Sequence, residues 1–127
     1  IFLFYIIFFV HGVLKQLLKK AEIHPKGKGK HAAHHIIPHS EARNKDAVKA
    51  REIYWKYVGY GKIDDAVNGV WLPYEKGAGP GAYHPRLHTK KYYRELHNRL
   101  KDARNADDVR GILKQIREEL ENNTFPH

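Results

Sequence analysis

The chain has 127 residues, about the size of one domain, and a hydrophobic share of 42%, enough for one modest core. Lys+Arg 23 against Asp+Glu 14 leaves a formal net charge of +9, which rules out an acidic binding protein and points to an anionic partner, nucleic acid or a membrane surface. The lack of cysteine excludes disulfide frameworks, cysteine-type zinc sites, iron–sulfur clusters and thiol catalysis. Methionine is absent too, even at position 1, which suggests a chain cut from something longer. Ten histidines are present, five of them between His24 and His39, and without cysteine they are the obvious borderline metal ligands.

Residues 1–10, IFLFYIIFFV, are unbroken apolar, yet a membrane span needs about 20 such residues. His11, Gly12 and Lys15 stop the run early. Followed by Lys19 and Lys20, it suggests either the end of an upstream span or leader with a basic flank, or a packing element of a parent protein. Membrane contact is expected only through residues 1–20. Residues 24–30, HPKGKGK, break structure with Pro25, Gly27 and Gly29 and stay solvated through alternating lysines. The expected organisation is therefore an apolar and basic segment over 1–20, a linker over 21–30, and one domain over 31–127.

Residues 31–38, HAAHHIIP, are short and partly β-branched, so a strand or strand-like turn is expected. A helix is expected over 40–58, with Ser40 as its cap and Ala47, Ala50, Ile53, Tyr54, Tyr57 and Val58 at helical spacing. An Asn68-Gly69 turn leads into a short strand at Val70, Trp71 and Leu72, and residues 75–81 form a glycine-rich loop. A second helix is expected over 85–100, with Pro85 at its first position. A third opens at Asp107 and Asp108 and buries Val109, Ile112, Leu113, Ile116 and Leu120. The tail over 122–127 is expected to fray.

Two pieces carry chemistry. One is the doublet His34-His35 near a strand end; the other is His84-Pro85-Arg86-Leu87-His88. Histidines four apart share a helix face, although a residue before proline resists the helical region, so His84 is expected at the cap. A third ligand from the doublet would give three imidazoles and an open position, the layout of a catalytic site. Adjacent strand residues point to opposite faces, so one histidine of the doublet can ligate while its neighbour serves as a base. An imidazole of ordinary pKa, near 6.5, accepts a proton from water at neutral pH. An amide such as Asn68 could fix the base in one tautomer, or Asn68 is simply a turn residue before Gly69. Asp64 and Asp65 look like ordinary turn chemistry. His31 and His39 are expected at the surface, His97 outside the site, and Trp71, Tyr92 and Tyr93 in the core.

In order and combination, Ala32-Ala33-His34-His35, Asn68-Gly69-Val70-Trp71-Leu72-Pro73, His84 and His88-Thr89-Lys90-Lys91-Tyr92-Tyr93 resemble the AHH family of nucleases. That family is a branch of the HNH (His-Me finger, ββα-metal) superfamily, found mostly as C-terminal toxin domains of bacterial polymorphic toxin systems. The likeness covers roughly residues 31–120. It implies an α+β fold with a ββα-metal core and additional packed helices. It assigns His34, His84 and His88 to one divalent metal (Mg²⁺, Mn²⁺, Ni²⁺ or Zn²⁺), His35 to the general base, and Asn68 to its orientation. The implied activity is endonucleolytic hydrolysis of phosphodiester bonds, favouring DNA with little sequence specificity. The cations Arg86, Lys90, Lys91 and Arg94, along the turn and helix after the loop, are candidates to grip the backbone, or they merely solvate the helix. A secreted or delivered toxin acting in the target-cell cytoplasm would need an immunity protein, expected to be acidic given the +9 charge. The rival expectations are a non-catalytic, basic module that binds metal and nucleic acid, and a membrane-active fragment driven by residues 1–20.

Overall fold

In the computed structural model, residues 12–127 are described, so the expectations placed on residues 1–10 lie outside the described residues. Residues 12–20 are helical (α1). Then follow β1 (His31–His35), α2 (Lys45–Tyr57), β2 (Gly69–Pro73), α3 (Lys90–Leu100) and α4 (Ala106–Glu121), with short 3-10 turns at Ala66–Asn68 and His84–Arg86. The fold is α+β: one two-stranded antiparallel sheet among helices, compatible with a ββα-metal core. Among the described residues no helix is long and apolar enough to cross a membrane.

The two strands pair from His31 opposite Pro73 to His35 opposite Gly69. The alternation of a strand sends its residues to two different packing layers. Val70 and Leu72 join α2, α3 and α4 in the larger core, with Tyr54, Tyr92, Leu96, Leu113 and Leu120. Ala33 and Trp71 face the other way and pack against Leu14 and Leu18 of α1. Gly69 makes that second layer possible, because a Cβ there would stand 2.8 Å from a Leu14 methyl and 2.9 Å from one of Leu18.

Residues 21–30, expected as a linker, make direct contacts with the domain that follows. The Trp71 indole donates to the Ile23 carbonyl at 2.8 Å, and the lysine–glycine stretch lies against the 75–81 loop. The Gly29 N–H donates to Ala78 O at 3.3 Å and the Tyr74 N–H to Lys30 O at 2.9 Å. Gly27, at φ +115°, has no room for a Cβ, which would run into the Ala78 carbonyl oxygen. The glycines that suggested a loose linker therefore serve close backbone contact, and α1 belongs to the packed body.

Helix starts differ from the expectations for reasons visible at each cap. The first expected helix starts at Lys45, not near Ser40, because the Asn44 side chain caps it by accepting from the Ala47 N–H at 3.0 Å. The preceding loop is held by Arg51, whose guanidinium donates to Pro38 O and Glu41 O. The second expected helix is split. His84–Arg86 make a single 3-10 turn, Leu87 is buried in the core, and α3 starts only at Lys90 with Thr89 as cap. The tail is not frayed at Phe125, which is buried with its ring 5.2 Å from that of Tyr92.

Candidate metal and base site

β1 ends on the doublet. His34 is 2% exposed and His35 is 6% exposed. The His34 ring lies 5.1 Å from that of His84 and 5.9 Å from that of His88, and His84 and His88 are also 5.9 Å apart. One ring nitrogen from each of the three lies within 4.8 Å of the others. His84 and His88 both precede α3, so they share no helix face; the expectation that His84, before Pro85, lies outside the helix yet points to the same end holds. The buried Leu87 anchors the segment between them, and the 3-10 turn brings His84 round to the same place. Three converging imidazoles with no carboxylate among them suit a borderline divalent cation, so the donor set fits a metal.

Tyr92 supports this cluster from behind. Its hydroxyl donates to Ile36 O at 2.7 Å and stands 2.9 Å from His34 Nε2. With its proton committed to Ile36, the phenol oxygen accepts from His34 Nε2–H, and the neutral ring then carries its lone pair on Nδ1. Burial, helped by neighbouring Tyr93, pushes the Tyr92 phenol well above its ordinary pKa, so it stays a proton donor. Tyr93 stands in a similar relation to His88, its hydroxyl 3.1 Å from Nδ1. Its phenol is also pushed up, by burial first and then by the charge of Glu41.

His35 has different company. Its Nε2 lies 2.7 Å from Asp64 Oδ1, and the second oxygen of that carboxylate is 4.0 Å from His39 Nε2. A carboxylate only accepts, so it fixes the proton on Nε2 and the lone pair of the neutral ring on Nδ1. Asn68 does not take that part. Its amide donates to Ile37 O and Ile63 O, both at 3.0 Å, and its oxygen accepts from the Ile37 N–H at 2.8 Å. The fully buried Asn68 thus pins the backbone just beyond the doublet, while the contact expected from it to His35 comes from Asp64.

Sequence reasoning set Asp64 aside with Asp65 as turn chemistry. That holds for Asp65, whose carboxylate caps the turn at the Val67 N–H, but not for Asp64. Arg117 was missed altogether. From α4 its guanidinium donates to Gly69 O at 2.9 Å and Ala66 O at 2.6 Å, fixing the entry to β2. Arg86, Lys90, Lys91 and Arg94 are all exposed, on the turn and helix that follow His84 and His88. His97 pairs with Asp46 at 2.8 Å, away from the cluster.

Residues 16–122 match a family described as AHH, a nuclease family of the HNH/ENDO VII superfamily with conserved AHH. The chain belongs to the AHH family. Its Ala33-His34-His35 is the tripeptide in question, placed at the end of β1. Searches of curated proteins and of solved structures give no match. As an AHH-family member the protein is a nuclease of the HNH superfamily, whose enzymes use a metal ion, and its substrate is nucleic acid.

Proposed function

We propose that this AHH nuclease is a metal-dependent endonuclease that hydrolyses phosphodiester bonds, favouring DNA and reading little sequence. The observation that carries the proposal is the division at the doublet: His34 joins a three-imidazole cluster, while His35, one residue on, is paired with a carboxylate. His34, His84 and His88 would hold one divalent ion, which when bound stabilises the charge developing on the phosphate and the leaving 3′-oxygen. His35 takes a proton from the attacking water through Nδ1. Asp64 keeps the other nitrogen protonated and stabilises the imidazolium that forms. Asn68 and Tyr92 hold the backbone at Ile36 and Ile37, so both imidazoles keep their bearing on the phosphate. Arg86, Lys90, Lys91 and Arg94 give the backbone a cationic bed whose affinity falls with salt.

The wider reading is that of a bacterial toxin domain, delivered into the cytoplasm of a target cell and neutralised by an acidic immunity protein. The net charge of +9 and the family's usual setting support it.

The test is a supercoiled-plasmid assay on the whole chain, because removing α1 would uncover Ala33 and Trp71. Mg²⁺, Mn²⁺, Ni²⁺ and Zn²⁺ are supplied in turn, with an EDTA control and a His35→Ala partner. Metal-dependent nicking by the wild type that His35→Ala loses without unfolding is the expected result. A wild type that cuts neither plasmid nor RNA with any of the four metals would reduce the proposal to a basic, metal-binding module.

A further inference from the structure

The strand ladder does not stop where the regular sheet does. The Tyr74 N–H donates to Lys30 O at 2.9 Å, one step beyond the His31–Pro73 pair. Opposite residues of an antiparallel pair share a face, and so does every second pair. His34 with Val70, Ala32 with Leu72, and Lys30 with Tyr74 therefore lie on one side of the ribbon, the side that carries the imidazole cluster. The ring contacts agree: Tyr74 stands 6.2 Å from His84, with the two planes only 33° apart. Tyr74 is also 56% exposed. Among the described residues the other exposed large apolar side chain, Tyr60, packs on Trp55 at 4.8 Å and lies on the loop after α2.

We propose that Tyr74 and Lys30 form a subsite for an unpaired nucleotide beside the scissile phosphate, with the Tyr74 ring stacking the base and the Lys30 ammonium meeting its phosphate. The proposal rests on the active-site reading above. It adds a substrate class, a strand that is single or locally unpaired at the site. A paired base already has both faces stacked in its helix, so it must leave the stack to lie on a side-chain ring. Lys30 is held in place by its own backbone: its carbonyl accepts from Tyr74, and its N–H donates to Glu75 Oε1 at 3.3 Å. That contact gives the Glu75 carboxylate, beside the subsite, a hydrogen-bond partner. Next to it, His31 faces the Gly29 and Lys26 carbonyls with its two ring nitrogens, at 2.8 and 3.1 Å, and secures the lysine–glycine stretch.

The experiment measures binding, not cleavage, so that it is judged apart from the nuclease reading. The whole chain in EDTA is titrated against a fluorescein-labelled single-stranded DNA, the same sequence as RNA, and the matching DNA duplex, followed by anisotropy. Tyr74→Leu is expected to weaken single-strand binding about tenfold and to leave duplex binding within about twofold. Tyr74→Phe keeps the ring and binds like the wild type, as does Tyr60→Leu. Lys30→Ala lowers the salt slope on single strands by about 0.7. If Tyr74→Leu binds single strands as the wild type does, or loses duplex binding to the same extent, the subsite is wrong. It is equally wrong if the wild type holds no single strand. A wild type that binds as described but cuts nothing with any metal overturns the catalytic reading and leaves the subsite standing.

Discussion

His34 and His35 are neighbours in the chain and occupy two different chemical environments. On the His34 side, among the described residues, stand imidazoles and phenols: His84, His88, Tyr92 and Tyr93. On the His35 side stand a carboxylate and a further imidazole, Asp64 and His39. The first environment offers neutral nitrogen donors to a cation. The second offers a ring whose positive form is stabilised by a negative partner. A strand needs one peptide step to reverse the direction of its side chains, and that step puts one histidine in the imidazole cluster and the next beside a carboxylate. Two identical side chains thus suit different chemistry because of what each faces.

The largest effect that would break the comparison comes from exchanging the two losses. His35→Ala should lower the cleavage rate by about 10²–10⁴-fold while the metal still binds. His34→Ala should abolish metal binding and cleavage together. The distinguishing readout is the melting temperature with and without metal. Saturating metal at a hundredfold excess over Kd stabilises the native state by about 2.7 kcal/mol, and that rise should persist in His35→Ala and vanish in His34→Ala. Should both variants keep it, His34 is no ligand.

Smaller effects sharpen the contrast. Tyr92→Phe removes the acceptor for His34 Nε2–H and should weaken the metal by about 10–100-fold in a calorimetric titration. Asp64→Asn should leave that titration unchanged and lower kcat at least about tenfold, since the amide presents its NH2 or its oxygen to His35 without a charge. A common loss of metal affinity in both variants would show that the two environments are not separate. The smallest change is expected from Lys90→Ala: a modest rise in KM, and a log–log salt slope shallower by about 0.7–0.9 for one lost phosphate contact.

What the sequence displayed was the local part of this arrangement. The doublet, the Asn-Gly turn and the apolar stripes of α3 and α4 follow from spacing alone, and the family likeness supplied the grouping of His34, His84 and His88. Starts of helices were less legible, because Ser40 and Asn44 are both good caps and only the anchoring of Pro38 and Glu41 by Arg51 selects the second. Asp64 was hidden for a similar reason. An Asp-Asp pair before a turn calls for one capping carboxylate, and nothing local tells which of the two is released for a partner 29 residues away. Arg117 reaches backbone carbonyls, which carry no sequence signature. The glycines at 27 and 29 misled because glycine serves both slack chain and close packing, and only the facing Ala78 decides between them.

The strand that bears the doublet pairs with residues 34 to 42 positions further on, and the remaining histidines follow later still. No contiguous stretch of the polypeptide therefore carries a working set of groups. Closing such a loop takes chain entropy that is recovered only when the core around Tyr92 and Leu96 forms. The proposed catalytic set is thus a property of the completed fold, brought together only once these distant segments pack.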